Sequence, residues 1–240
     1  MNSIDSIINS SEAVKALGEA MDLGNLRVIA PHKDKYIYRY NINWLIEEIS
    51  SGQKHSFVTF WQADEGVENR IFSQWYPHKF SVNGRIYETA EQYMMSEKAL
   101  LFGDLDSYKA IMDEPNPKIC QQLGKKVKNF DSAIWDKSFR EIIFHGNLGK
   151  LQSDINFVDT LLSTGDAVLI EASPKDDKYG AGLDKTHLLN PDGTLKVLPQ
   201  DWHLEGKTKQ SENNLGFVLM GLRDLFNDLI NGKGACNAEL

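Results

Sequence analysis

Between Asn214 and Leu229 the chain carries Leu215, Val218, Leu219, Leu222, Leu225, Phe226 and Leu229 in one continuous apolar stripe at helical spacing. A helix with so wide an apolar face has no stable exposed form, so the rest of the chain has to cover it. A second helix is marked by the capping box Thr89-x-x-Gln92. It is expected to run to about Phe102 and to stop at Gly103. Along it Ala90, Tyr93, Met94 and Leu101 make an apolar stripe. Glu91, Met95, Lys98 and Phe102 share the adjoining face.

Further helices are expected over about Leu105–Met112, from Asn116-Pro117 to Gly124, over Ala133–Asn147 and over Asp154–Leu162. Strand signals are fewer. Ser56–Trp61 is β-branched and aromatic, Asn83-Gly84 marks a hairpin between Phe80–Val82 and Arg85–Tyr87, and Ala167–Glu171 reads as a buried strand. Residues 172–212 read mostly as loop, punctuated by Pro174, Gly180, Gly182, Pro191, Gly193 and Gly206. Ahead of Ser56, residues 1–24 have helical spacing, Leu26–Tyr40 reads as loop or short strand, and Asn43–Ile49 as a short helix with Trp44, Leu45 and Ile49 inward. Helices dominate and do not alternate with strands. The expected class is therefore α+β, mostly helical with a few short strands, rather than a doubly wound sheet.

A net charge of −8 argues against non-specific binding to nucleic acid or to an anionic membrane, both of which need a basic footprint. No apolar run approaches the ~20 residues of a membrane span. The start of the sequence lacks a basic segment followed by a long apolar one, so it reads as mature protein. Two cysteines, Cys120 and Cys236, make no disulfide framework, and a reducing cytoplasm is the expected location. No two of the six histidines are spaced i, i+3 or i+4, and neither cysteine lies near one, so no zinc site is expected.

Three stretches can carry chemistry. Glu91 and Lys98 lie about two helical turns apart, ~10 Å, and can reach into one pocket. On spacing alone the plainer reading, a first-turn carboxylate and a snorkelling lysine, is favoured. The run Glu171-Ala-Ser-Pro-Lys-Asp176-Asp-Lys-Tyr179-Gly180-Ala-Gly182 follows a buried strand, where ligand loops often sit, or forms a solvated acidic turn. The cluster Phe72-Ser-Gln-Trp75-Tyr76-Pro77 either plugs a core or stacks a base.

Taken in order, these blocks resemble the NADAR (YbiA-like) family. Phe72-Ser-Gln-Trp75-Tyr76-Pro77, Gly84-Arg-Ile-Tyr87, Thr89-Ala-Glu91-Gln92-Tyr93 and Lys98 come first. Leu123-Gly124-Lys125, Trp135, Thr164-Gly165-Asp166 and the Glu171–Gly182 loop follow, and Asn214-Leu215-Gly216 through Leu219-Met220 to Arg223 closes the match. The chain departs from the family pattern at Gln74 for Asn, Gln92 for His, Gly-Lys for Gly-Arg, and Tyr179 for Trp. The resemblance implies a domain over 56–232, an N-terminal helical extension of unknown role over 1–55, and a flexible tail over 233–240.

It also implies an N-glycosidase that cleaves the ribose–nitrogen bond of a phosphorylated or ADP-ribosylated base. Substrates of that kind are ribosylamino-pyrimidine intermediates of riboflavin biosynthesis and ADP-ribosyl-guanine, with ADP-ribosylated nucleic acid as a further partner. The alternative is a non-catalytic NAD or ADP-ribose binding module. By resemblance Glu91, Trp135, Asp176 and Lys98 are the catalytic candidates. Phe72, Trp75, Tyr76, Lys125, Tyr179, Gly180, Gly182, Asn214 and Arg223 are candidates for substrate binding. No metal or other cofactor is called for. Breaking a C1–N bond develops positive charge on the ribose and requires a proton for the leaving nitrogen, so two carboxyl groups divide the work. Glu91 is placed beside the ribose and Asp176 on water or the leaving group, with the reverse open. Lys98 either binds phosphate and hydroxyls or attacks C1 as a Schiff-base nucleophile.

Overall fold

The computed structural model describes residues 33–231. The helix expected over 1–24, Cys236 and the tail lie outside the described residues. Two short helices come first, α1 (Asp34–Ile37) and α2 (Ile42–Ser50), followed by strand β1 (Phe57–Phe60) and the hairpin of β2 (Phe80–Val82) and β3 (Arg85–Tyr87). Helices α3 (Ala90–Leu101), α4 (Leu105–Met112), α5 (Pro117–Gly124), α6 (Ser132–Ser153) and α7 (Ile155–Ser163) come next. Strand β4 (Val168–Glu171), two single-turn helices α8 (Lys185–Leu188) and α9 (Trp202–Glu205), and α10 (Asn214–Ile230) complete the order. The fold is α+β, mostly helical with a few short strands.

Side-chain caps set most helix starts. Thr89 accepts from the Gln92 N–H, Asp104 from Ser107, Asn116 from Lys118 and Ile119, and Asp131 from Ala133 and Ile134. Each satisfies N–H groups that the first helical turn leaves without partners. Gln92 returns a bond to the N–H of Glu88, one residue outside the usual capping box, while its amide nitrogen reaches the carbonyls of Ile111, Met112 and Glu114. One side chain thereby ties the start of α3 to the end of α4.

The α10 stripe is the centre of the core. Leu215, Phe217, Val218, Leu219 and Leu222 are fully buried, each gaining about 1.5–3 kcal/mol from the transfer. They pack on α6 and on β4, which pairs in parallel with β1 through Phe57↔Val168 to Phe60↔Glu171. Helix α3 packs on α4, α5 and α6.

Two expectations need correction. Leu26–Tyr40 contains the helix α1, which is one turn long and too short to show a period. Tyr36 and Ile37 bury against α10, and a Cβ on Gly221 would stand 2.1 Å from the Tyr36 carbonyl oxygen. Helix α6 runs on past Asn147 to Ser153, because Gly146 and Gly149 are contact points and not breaks. A Cβ at Gly146 would meet the Tyr93 ring at 2.6 Å, and one at Gly149 would meet Val82 and Phe80. Residues 172–212 are mostly loop as expected, with two single-turn helices set where Leu188 and Trp202 are buried. The Asn43–Ile49 helix is present as α2, with Leu45 fully buried and Trp44 and Ile49 only partly so. Tyr36 on α1 and Tyr40 in the link to α2 donate their hydroxyls to Asp228 and Asp224 of α10 at 2.8 and 2.7 Å.

Candidate active site

Glu91 lies in the first turn of α3, 3% exposed, with its backbone N–H bonded to the Gln74 carbonyl at 2.9 Å. Its Oε1 is buried and has no hydrogen-bond partner among the described residues. Burial raises its pKa from 4.5 to about 8, and the charge of Asp176 pushes in the same direction. Hydrogen bonding from the Trp75 side chain and the charges of Lys125 and Lys98 oppose the rise.

Asp176 comes from the loop after β4. Its Oδ1 accepts from the N–H groups of Tyr179 at 2.8 Å and Lys178 at 3.1 Å. Burial raises this carboxyl too, but those backbone donors hold it back. The loop is stitched to the start of α10 by Glu212 N–H to Asp177, Asn213 N–H to Gly180 and Leu215 N–H to Tyr179. A Cβ on Gly180 would stand 2.9 Å from the carbonyls of Asp176 and Glu171, so the turn closes only with glycine.

Opposite these carboxyls stands Lys98. Its Nζ lies 4.3 Å from the Phe130 ring centroid and 5.3 Å from that of Trp135. Burial lowers its pKa, the charges of Lys178 and Lys125 add to the drop, and Glu91 opposes it. Trp135 is 4% exposed and donates its indole N–H to the Tyr179 hydroxyl. Tyr179 packs edge-on against Phe139.

Of the residues proposed from sequence, the fold brings Glu91, Lys98, Trp135, Asp176, Tyr179 and Trp75 together, with Lys125 at their edge and Gly180 and Gly182 in the loop backbone. Asn214 stands behind, donating to the Lys178 carbonyl at 2.7 Å and to Glu212. Tyr76 is half-buried under the cations of Arg70 and Lys150. Two others sit elsewhere. Phe72 is fully buried in the core against Phe60 and Phe157. Arg223, 3% exposed, spends its NH1 on the Thr164 hydroxyl and the Ala167 carbonyl, both at 2.8 Å. Its guanidinium therefore holds the turn before β4.

Two residues were not singled out from sequence. Glu171 ends β4 with Oε2 buried and unpartnered, and burial, Asp176 and Glu91 all raise its carboxyl well above the ordinary range. Its N–H is held by Asn213 Oδ1 at 2.9 Å. An acidic residue terminating an otherwise apolar strand is the signal that marks it. Lys178 pairs with Asp136 and lies 4.7 Å from the Phe139 ring. Its position two residues after Asp176 is its only mark. The site thus combines three carboxyl groups, with Glu91 raised by Asp176 and Glu171 by both, and three lysines. Among the described residues no three His, Cys, Asp or Glu side chains are placed to hold a metal ion, and no helix is long and apolar enough to cross a membrane.

The chain as a whole is similar to known proteins. The NADAR domain family matches residues 59–227, and the chain belongs to that family. An N-glycosidase of Acanthamoeba polyphaga mimivirus is 38% identical over 160 residues, covering 64% of this chain and 86% of the relative. The Caenorhabditis elegans protein irg-1 is 30% identical, covering 57% of this chain and 70% of its own length. An N-glycosidase of Nostoc punctiforme is 26% identical, covering 54% and 83%. The solution NMR structure of Escherichia coli YbiA superposes with a TM-score of 0.54 at 18% identity, covering 78% of this chain and 94% of that one, and shares its fold.

Proposed function

We propose that the chain is an N-glycosidase that hydrolyses the bond between C1 of a ribose and the nitrogen of a base, on a substrate bearing phosphate or pyrophosphate. The observation that carries this reading is Glu91: a buried carboxyl with an oxygen left unpaired, facing a second carboxyl, Asp176. Such a pair is costly for folding and suited to proton transfer.

A Glu91 pKa of about 8 leaves the group largely protonated at neutral pH, so Glu91 donates the proton to the leaving nitrogen. Asp176, anchored by two backbone N–H groups, carries the negative charge that stabilises the ribosyl cation and orients water. Trp135 and Trp75 wall the base. Lys98, Lys125 and Lys178 supply positive charge for phosphate oxygens, with Lys98 also within the site's aromatic wall. The relatives called N-glycosidases support the same reaction class.

Purified protein would be offered a ribosylamino-pyrimidine phosphate, ADP-ribosyl-guanine, ADP-ribosylated DNA, NAD and ADP-ribose, with release followed by mass spectrometry. Release of free base and sugar phosphate from at least one, and none by the Glu91→Gln variant, is the expected result. Binding without release across the panel would replace the reading with that of a binding module.

A further inference from the structure

Residues two apart on a helix point to nearly opposite sides. While Glu91 and Lys98 serve one side of α3, Tyr93 and Glu97 serve another. There, between α3 and α6, lies a cleft of about 480 Å3 that also takes in Lys33, Val82, Leu100, Glu141, Ile142, His145 and Leu148. Its size is that of a small-molecule site.

Two polar groups in it lack partners. Tyr93 is 5% exposed and its ring is pinned by Phe80, Tyr87 and Gly146, yet its hydroxyl forms no hydrogen bond among the described residues. Glu97 is half-buried with no ion pair among the described residues, and feels only the more distant charge of Arg85 on β3. The other charges are already matched: Glu141 pairs with Lys33 and with His145. Desolvation holds Glu97 above the ordinary carboxylate range and His145 below the ordinary imidazole one. The cleft is therefore apolar-walled, with one unneutralised carboxylate beside one free hydroxyl acceptor.

We propose that this cleft binds a small organic amine, its apolar body among Leu100, Ile142 and Leu148 and its ammonium between the Glu97 carboxylate and the Tyr93 hydroxyl. A charge-assisted contact to a partly desolvated carboxylate gives the amine its advantage over a neutral molecule of the same shape. The site is distinct from the carboxyl pair on the other side of α3 and stands whether or not the hydrolase reading holds.

The test is titration calorimetry with 2-phenylethylamine and its neutral counterpart 2-phenylethanol. The amine is expected to bind saturably and at least ~10-fold more tightly than the alcohol. Glu97→Gln brings the amine down to the alcohol's affinity. Tyr93→Phe, which keeps the pinned ring, weakens the amine about 3-fold or more. Glu91→Gln leaves amine binding unchanged, and thermal unfolding checks that each variant is folded. Absence of saturable binding, equal binding of the two probes, or full-strength amine binding by Glu97→Gln or Tyr93→Phe overturns the proposal. Loss of binding in Glu91→Gln also overturns it, by placing the amine on the far side of α3.

Discussion

The indole N–H of Trp135 donates to the hydroxyl of Tyr179 at 3.0 Å, joining residues 44 positions apart across the candidate site. The bond fixes the Trp135 ring beneath Lys98 and fastens the Asp176 loop to α6. Tyr179→Phe keeps the ring against Phe139 and removes only the hydroxyl. It is expected to lower stability by about 1 kcal/mol and turnover by about 10-fold. Trp135→Phe loses the indole N–H together with part of the aromatic platform and falls further. Denaturant unfolding and steady-state kinetics on both variants check this; unchanged turnover in Tyr179→Phe would leave the bond a purely structural tie.

Glu91→Gln separates stability from function. The folded-state pKa of about 8 lies above the ordinary 4.5. A raised carboxyl contributes stability that is fully present below about pH 4.5 and is lost as pH rises through about 8. Glutamine has no such transition, so the variant is expected to be at least as stable as the parent above about pH 8. Its turnover is expected to fall ~100-fold or more with little loss of substrate binding. The parent's activity should decline as pH passes about 8, where the proton donor is spent.

Lys98→Met keeps the aliphatic stem on Phe130 and Trp135 and removes the ammonium. If Lys98 grips phosphate, KM rises and kcat holds. If it attacks C1, borohydride traps a lysine–ribose adduct in the parent and none in the variant. An unchanged KM and kcat would remove Lys98 from both roles.

The helices announced themselves through local chemistry. Thr89, Asn116 and Asp154 cap the helices expected from them, and Asn83-Gly84 makes the expected hairpin. Where long-range contact decides, local pattern is silent. The helix expected to end at Asn147 runs on through Gly149, whose missing side chain leaves room for Val82 and Phe80. Phe72 and Trp75 stand three positions apart in one aromatic cluster, yet one is sealed in the core and the other faces Glu91. Arg223 looks like a ligand for phosphate because nothing in its neighbours shows the Thr164 and Ala167 oxygens waiting for it. Glu171 is legible only in part: its acid at the end of an apolar strand and Asp176 in the same loop can be read, but the approach of Glu91 from α3 cannot.

Lys150 gives a second pH signature. It is fully buried, donates to the carbonyls of Ile71 at 3.0 Å and Ser73 at 3.4 Å, and has its pKa lowered by burial to about 7. Because the folded value lies below the unfolded one, the associated stability is fully present above about 10.5 and is lost as pH falls through about 7. Lys150→Met is expected to abolish this rise of stability with pH. Since those carbonyls lead into Trp75, it should also lower turnover. Unfolding curves for parent and variant across that range check the slope; parallel curves would mean that the ammonium is not the group responsible.

The pairing of β1 with β4 has a kinetic consequence. One strand leaves the ribosome early and its parallel partner only after five helices have been made, while the α10 face that packs on β4 is made last of all. Loop closure over that length is slow, whereas α3 to α6 assemble from near neighbours. The helical half therefore forms first, and Val168–Ile170 remain a bare, sticky strand until the final helix docks. A nascent chain stalled before α10 is a substrate for chaperones rather than a partly working enzyme.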